Sequence, residues 1–153
     1  MSTAIRPLHC AVALAIAQLV AGSPAHAVDL ATCAAGAAAH YEVPLALVHA
    51  VMRQEGGRPG FTRTNTNGTE DIGVMQINSI HLPELARYGI SRQRLLNDGC
   101  LNVYIGTWML KREIVQAGNL WRGVGNYHSH TPALNVKYQW LVWDRLKQLQ
   151  HGR

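Results

Sequence analysis

The chain has few acids, little phenylalanine and few cysteines. Of its 153 residues only nine are Asp or Glu, one is Phe and three are Cys. There is no internal repeat, low-complexity tract or linker, which excludes a solenoid or a string of domains. Beyond residue 27 no apolar run is long enough to cross a membrane, so no stable membrane anchor is expected. The formal charge is +5, but the basic residues are scattered apart from Arg92/Arg94 and Lys111-Arg112. Without a basic arm or stripe to follow a phosphate backbone, nucleic acid is not an expected partner. A serine hydrolase would need a G-x-S-x-G elbow, and none is present. His128-Ser129-His130 lacks a third ligand at a recognisable spacing, so neither a metal nor another cofactor is expected.

What is present begins with an export signal. Arg6 precedes an apolar run, Ala11 to Val20, interrupted only by Gln18. Gly22-Ser23-Pro24 breaks the run, and Ala25-His26-Ala27 forms an A-x-A cleavage site. Residues 1–27 therefore read as a secretory signal peptide cut after Ala27, with residues 28–153 as one domain. Cys33 and Cys100 are the cysteines that remain, and an even count in an exported chain implies a disulfide. Closing a loop of that size contributes about 4 kcal/mol in the chain-entropy model. The alternative is two reduced, buried thiols.

Helical periodicity dominates the rest. Leu30 to Tyr41 is alanine-rich, with Asp29 as cap, and Val43 to Gly57 is amphipathic. Ile72 to Ile77 is a short apolar run that reads as a strand or a helix start. Ser79 to Tyr88, Arg92 to Leu96 and Cys100 to Gln116 read as helices, Leu120 to Tyr127 as a short helix or a glycine-rich turn, and Thr131-Pro132 starts a last helix with Leu134, Tyr138, Leu141, Val142, Leu146 and Leu149 at helical spacing. The expectation is a mostly α single domain with little or no β structure, any of it within residues 60–78. The Cys100 helix is apolar nearly all round and so should be the central one.

Among the nine acids, Glu55 stands apart. It lies three residues after Met52 and four after Val51, so it extends the apolar stripe of its helix. Burial and the negative end of the helix dipole both disfavour its charged form and raise its pKa, which suits a general acid near neutral pH. The plainer reading is a side chain that reaches water from a frayed helix end. Glu84 and Glu113 fall on wet faces, Asp29 and Asp98 read as caps, and Glu70-Asp71 lies in a loop that could reach a site. Ordinary glycosidases flank the scissile bond with two carboxylates, and the second is not evident here. Trp108, Trp121, Trp140 and Trp143 could stack on sugars, although such residues are more often core. Trp140 and Trp143 would then widen the buried face of the last helix.

Taken in order, these segments resemble the lytic transglycosylases with an SLT-type, lysozyme-like domain. The match is best to the small branch associated with conjugation, type III and type IV secretion and pilus systems. A helix ends in Arg53-Gln54-Glu55, and Gly73-Val74-Met75-Gln76-Ile77-Asn78 is similar to the family's G-L-M-Q motif. His81 to Ile90 and Asp98 to Asn102 resemble the branch's middle section, and Val124 to Ser129 stands where the family carries A-Y-N. Gly56 replaces the serine that usually follows the glutamate, and Asn126-Tyr127-His128-Ser129 is a variant that marks the conjugation-associated branch. The resemblance implies a periplasmic enzyme on peptidoglycan glycan strands, serving an envelope-spanning secretion, conjugation or pilus apparatus. In that mechanism Glu55 protonates the β-1,4 bond between N-acetylmuramic acid (MurNAc) and N-acetylglucosamine (GlcNAc), and the muramic acid's own C6 hydroxyl attacks. A 1,6-anhydro product results without a second carboxylate. Gly73, Met75, Gln76, Asn126, Tyr127 and His128 would contact the sugar, with Tyr127 hydrogen-bonding near Glu55. The alternatives are a hydrolytic muramidase using Glu70 or Asp71 to activate water, and a catalytically idle peptidoglycan-binding assembly module.

Overall fold

A computed structural model describes residues 29–152; the expected signal peptide lies outside them. Among these residues seven α-helices pack together beside a small three-stranded antiparallel sheet. Helix α1, Leu30–Tyr41, starts where the Asp29 carboxylate accepts the Ala31 N–H, and stops at Glu42, whose φ is 52°. Helix α2, Leu45–Glu55, follows almost directly and buries Leu47, Val48, Ala50 and Val51. It ends because Gly56 adopts φ 64° and donates its N–H to the Met52 carbonyl. A glycine enters this left-handed region without the steric cost that a side chain brings.

Strands β1 (Thr62–Thr64), β2 (Glu70–Ile72) and β3 (Ile77–Asn78) pair in that order, with Thr62 opposite Ile72 and Ile72 opposite Ile77. All the β structure among the described residues thus falls inside the window expected for it. The run Ile72–Ile77 is neither one strand nor a helix start. It is the end of β2, a tight turn over 73–76 and the beginning of β3. Gly73 at φ 73° and Gln76 at φ 49° make that turn.

The helix expected over Ser79 to Tyr88 is divided into a 3-10 turn, Ser79–His81, and helix α3, Leu82–Ala86. Pro83 sits in the first turn of α3, where its missing N–H costs nothing and its ring blocks continuation from the preceding turn. Helices α4 (Arg92–Asn97) and α5 (Gly99–Ala117) are capped by the Ser91 hydroxyl and the Asp98 carboxylate. Helix α6 spans Leu120–His128 and α7 spans Pro132–His151. Helix α5 is the central one: Asn102, Val103, Ile105, Gly106, Thr107, Met109 and Leu110 are buried, and α1 and α6 pack along it. Cys33 and Cys100 are bonded, tying α1 to the start of α5 across a sequence separation of 67.

Helix α7 departs from expectation. It packs on α2 and α6, and the cover is narrow: Asn135, Tyr138 and Val142 are buried. Trp140 is 64% and Trp143 42% exposed, so they do not widen its buried face.

Candidate active site

The end of α2 opens into a cleft of about 700 Å³. One wall is helical and carries Glu55 from α2, Asn126, Tyr127 and His128 from α6, and Leu134 from α7. The other is the small sheet with its turns, which supplies Arg63, Asn65, Asp71, Gln76 and Asn78.

Glu55 lies at the junction. Its carboxylate accepts a short hydrogen bond from the Tyr138 hydroxyl, and no cation forms an ion pair with it among the described residues. Burial pushes its pKa up from the usual 4.5 to about 7; the Tyr138 bond opposes this, the charge of Asp71 adds to it, and the more distant Arg63 opposes it weakly. The carboxyl is therefore substantially protonated near neutral pH, the state a proton donor requires.

The aromatic groups around it are themselves held. The His128 ring stacks on Tyr138 at 4.7 Å between centroids, with the planes 4° apart. Burial lowers the pKa of His128, which favours the neutral imidazole. The Tyr127 hydroxyl donates to the Met75 carbonyl at 2.8 Å, joining α6 to the turn between β2 and β3. Burial first, then the charges of Glu55 and Asp71, hold the pKa of Tyr127 well above 10, so this phenol stays neutral. On the sheet wall Asp71 accepts from the Asn78 amide at 2.7 Å, leaving its second oxygen free of side-chain partners. Glu70, its neighbour, turns away into a pair with Arg92 at 2.6 Å.

The residues expected at the sugar separate into two groups. Glu55, Gln76, Asn126, Tyr127 and His128 come together in the cleft. Gly73 and Met75 do not line it. The Met75 side chain is fully buried, and a Cβ on Gly106 of α5 would collide with it; a Cβ on Gly73 would meet the Asn102 amide at 2.2 Å. Both hold the turn from behind: Val74 and Met75 are buried in the core, and of the turn residues Gln76, at φ 49°, lines the cleft. Gln76 donates its amide to the Gly73 carbonyl at 2.8 Å, while its Oε1 is buried without a hydrogen-bond partner.

The hydrogen bond to Glu55 was expected near Tyr127 and comes from Tyr138. Tyr138 occupied the apolar stripe of the last helix in the sequence pattern, and the signal that could have found it is general: a buried phenol needs a polar partner. Asn102 was missed in the same way. It is fully buried, accepts the Met75 N–H at 2.8 Å, and donates to the carbonyls of Ile72 and Leu95, each at 2.9 Å. Of His128 and His130, the first stacks on Tyr138 and the second pairs with Glu113 at 3.2 Å. No group of three or more His, Cys, Asp or Glu able to hold a metal occurs among the described residues.

A mostly helical, lysozyme-like domain with an acid of raised pKa at the junction of two cleft walls is the arrangement of a class of glycan-cleaving enzymes. Residues 32–137 match the family model described as the transglycosylase SLT domain, and the chain belongs to that family. It is 31% identical over 115 residues to the invasion protein IagB of Salmonella typhimurium strain SL1344, covering 72% of each chain. To the protein IpgF of Shigella sonnei it is 33% identical over 102 residues, covering 66% of this chain and 67% of the other. A peptidoglycan-binding-like protein of Escherichia coli O157:H7 is 29% identical over 118 residues, 71% of each chain. The chain is a lytic transglycosylase, a lyase whose substrate is peptidoglycan.

Proposed function

We propose that the protein cleaves the β-1,4 bond between MurNAc and GlcNAc in two steps carried by Glu55. The protonated carboxyl gives its proton to the glycosidic oxygen as the bond to the muramic C1 breaks. The resulting carboxylate takes the proton of the muramic C6 hydroxyl as O6 bonds to C1. The product is a 1,6-anhydro sugar, no water is consumed, and Glu55 returns to its protonated state. The observation that carries this reading is the burial of Glu55 with no ion pair, which holds its pKa at about 7 and lets one group act as acid and then base.

Tyr138 would fix the rotamer of Glu55 throughout. Gln76 lines the cleft with its amide nitrogen held by the Gly73 carbonyl, and Gln76, Asn126, Tyr127 and His128 are proposed to form the sugar contacts. Gly73 and Met75 would act only by supporting the turn. Export by residues 1–27 would place the enzyme in the periplasm. Relatives named for invasion support a role in opening the wall locally for an envelope-spanning secretion, conjugation or pilus apparatus.

Asp71 favours a second reading. It faces the same cleft and its charge reaches Glu55, so it could activate water and make the enzyme a hydrolytic muramidase. Mass spectrometry of soluble products from purified sacculi decides: anhydro-muropeptides support the proposal, and products heavier by one water overturn it in favour of hydrolysis. Binding to sacculi with no soluble product at all would leave an idle wall-binding module.

A further inference from the structure

On the other side of the α6–α7 seam lies a groove of about 390 Å³ lined by Trp121, Gln139, Trp140 and Trp143. The Trp121 and Trp143 rings meet edge to face at 5.5 Å and 81°, forming a rigid corner. Trp140 presents most of its indole to solvent. Exposing this much aromatic surface costs free energy unless something covers it, and the catalytic reading does not use it.

Two observations bear on what covers it. The first is continuity with the cleft. Gln139 donates to Asn135 at 2.6 Å, and Asn135 donates to Asn126 at 2.8 Å; Asn126 lines the cleft. One chain of amides thus runs from the catalytic wall to the groove, and Asn135, Gln139 and Trp143 follow at four-residue spacing along one face of α7. The second is charge. Arg122 and Lys137 stand next to the groove residues on α6 and α7 with no acid paired to them among the described residues; Arg145 turns to Gln54 of α2 at 3.3 Å and Lys147 is paired with Asp144 at 2.8 Å. A partner with an apolar ring face and carboxylate side groups matches both. A peptidoglycan strand has these: the C–H face of each pyranose packs on indole, and the peptide stems carry carboxylates.

We propose that the Trp121/Trp140/Trp143 groove is a second glycan-binding site, which holds the strand outside the catalytic cleft and would make the enzyme turn over polymer faster than short oligosaccharide. The site rests on the peptidoglycan-cleaving reading. Gln139, with its amide nitrogen committed to Asn135, offers its carbonyl to an acetamido N–H.

The test uses the full chain with Trp140→Ala, Trp143→Ala and the conservative Trp140→Phe. Co-sedimentation with purified sacculi is measured in a Glu55→Gln background, so that the strand is not consumed. Turnover of sacculi is compared with that of a soluble muramoyl tetrasaccharide, and indole fluorescence is followed on adding chitotetraose. Each alanine variant should weaken sedimentation about tenfold, the effect of losing one stacked ring. It should lower the sacculus-to-tetrasaccharide turnover ratio to a similar degree, while Trp140→Phe restores most of both. Chitotetraose should shift the wild-type emission and shift it less in the alanine variants. Unchanged sedimentation and ratio, as a groove that docks a protein would give, overturn the proposal. So does a loss that comes with a fall in melting temperature and is not rescued by phenylalanine. Wild-type protein that cleaves neither substrate removes the catalytic reading instead, and the sedimentation comparison still decides the groove.

Discussion

The two walls of the cleft are built differently. The helical wall belongs to the core: α2 and α7 pack together, α6 lies on α5, and the disulfide ties α5 to α1. The sheet wall consists of strands two or three residues long, stitched by short polar side chains. Asn78 bonds Asp71 and Thr69, Asn65 bonds Thr69, and Ser79 accepts the Glu70 N–H. Each wall contributes a carboxylate. On the dry wall Glu55 is pushed up to about 7; on the wet wall Asp71 keeps an amide partner and access to solvent. The division of roles between Glu55 and Asp71 in one cleft follows from what surrounds them.

Replacing the acid on the dry wall should have the largest effect. Glu55→Gln should lower kcat on sacculi by about a thousandfold or more, the range for loss of a general acid, with the fold kept. Stability should change in a characteristic way. The folded pKa of Glu55, about 7, lies above the ordinary 4.5, so the stability linked to its protonated form is full below about pH 4.5 and is lost as pH rises through 7. The glutamine variant does not ionise. Urea titrations should therefore find the two proteins equal near pH 4.5 and the variant more stable by about 3 kcal/mol at pH 8. A gap that does not change with pH would mean that the dry wall does not hold its acid neutral.

That Glu55 was visible in the sequence and Tyr138 was not has a physical reason. Local spacing decides which face of a helix a residue occupies, so Val51, Met52 and Glu55 could be placed together from their offsets alone. The same holds for the caps Asp29, Ser91 and Asp98 and the stops at Gly56 and Gly118, all of which read directly onto helix ends. Tyr138 meets Glu55 across 83 positions, and Asn102 meets the β2–β3 turn across 27 to 30; no local pattern encodes such pairings. The exposure of Trp140 and Trp143 was hidden for a similar reason. Helical spacing shows a stripe but not how wide a neighbour covers it, and α7 is covered mainly by α2 and α6. Gly73 and Met75 were placed at the sugar because the motif resembles one that lines a cleft. In the folded turn Gln76 alone of the three lines it.

The wet wall is tied to α5 by the buried Asn102 amide, and removing that tie should have the next largest effect. Asn102→Ala leaves the Met75 N–H and two carbonyls without their buried partner. The loss should be about 3 kcal/mol of stability. If the walls are as unequal as their construction indicates, hydrogen exchange in this variant should rise first over residues 62–78 while α2 and α7 stay protected. Uniform acceleration across all helices would show that the sheet wall is as integral to the core as the helical one.

The smallest effects are the most discriminating, because they act on the two sides of Glu55 with opposite sign. The Tyr138 hydrogen bond lowers its pKa and the charge of Asp71 raises it. With a protonated acid required, kcat/KM should fall as pH rises through about 7 in the wild type. Tyr138→Phe removes a donor to the carboxylate and should move that alkaline limb upward; Asp71→Asn removes a neighbouring negative charge and should move it downward. The tyrosine contribution is the larger of the two, so the double variant should retain a small upward shift. The same titrations separate the reactions. If Asp71 only sets the field at Glu55, Asp71→Asn displaces the profile and leaves its height nearly unchanged, and the products remain anhydro sugars. If Asp71 activates water, the substitution collapses the height of the profile at every pH, and the wet wall is then a direct participant in the chemistry.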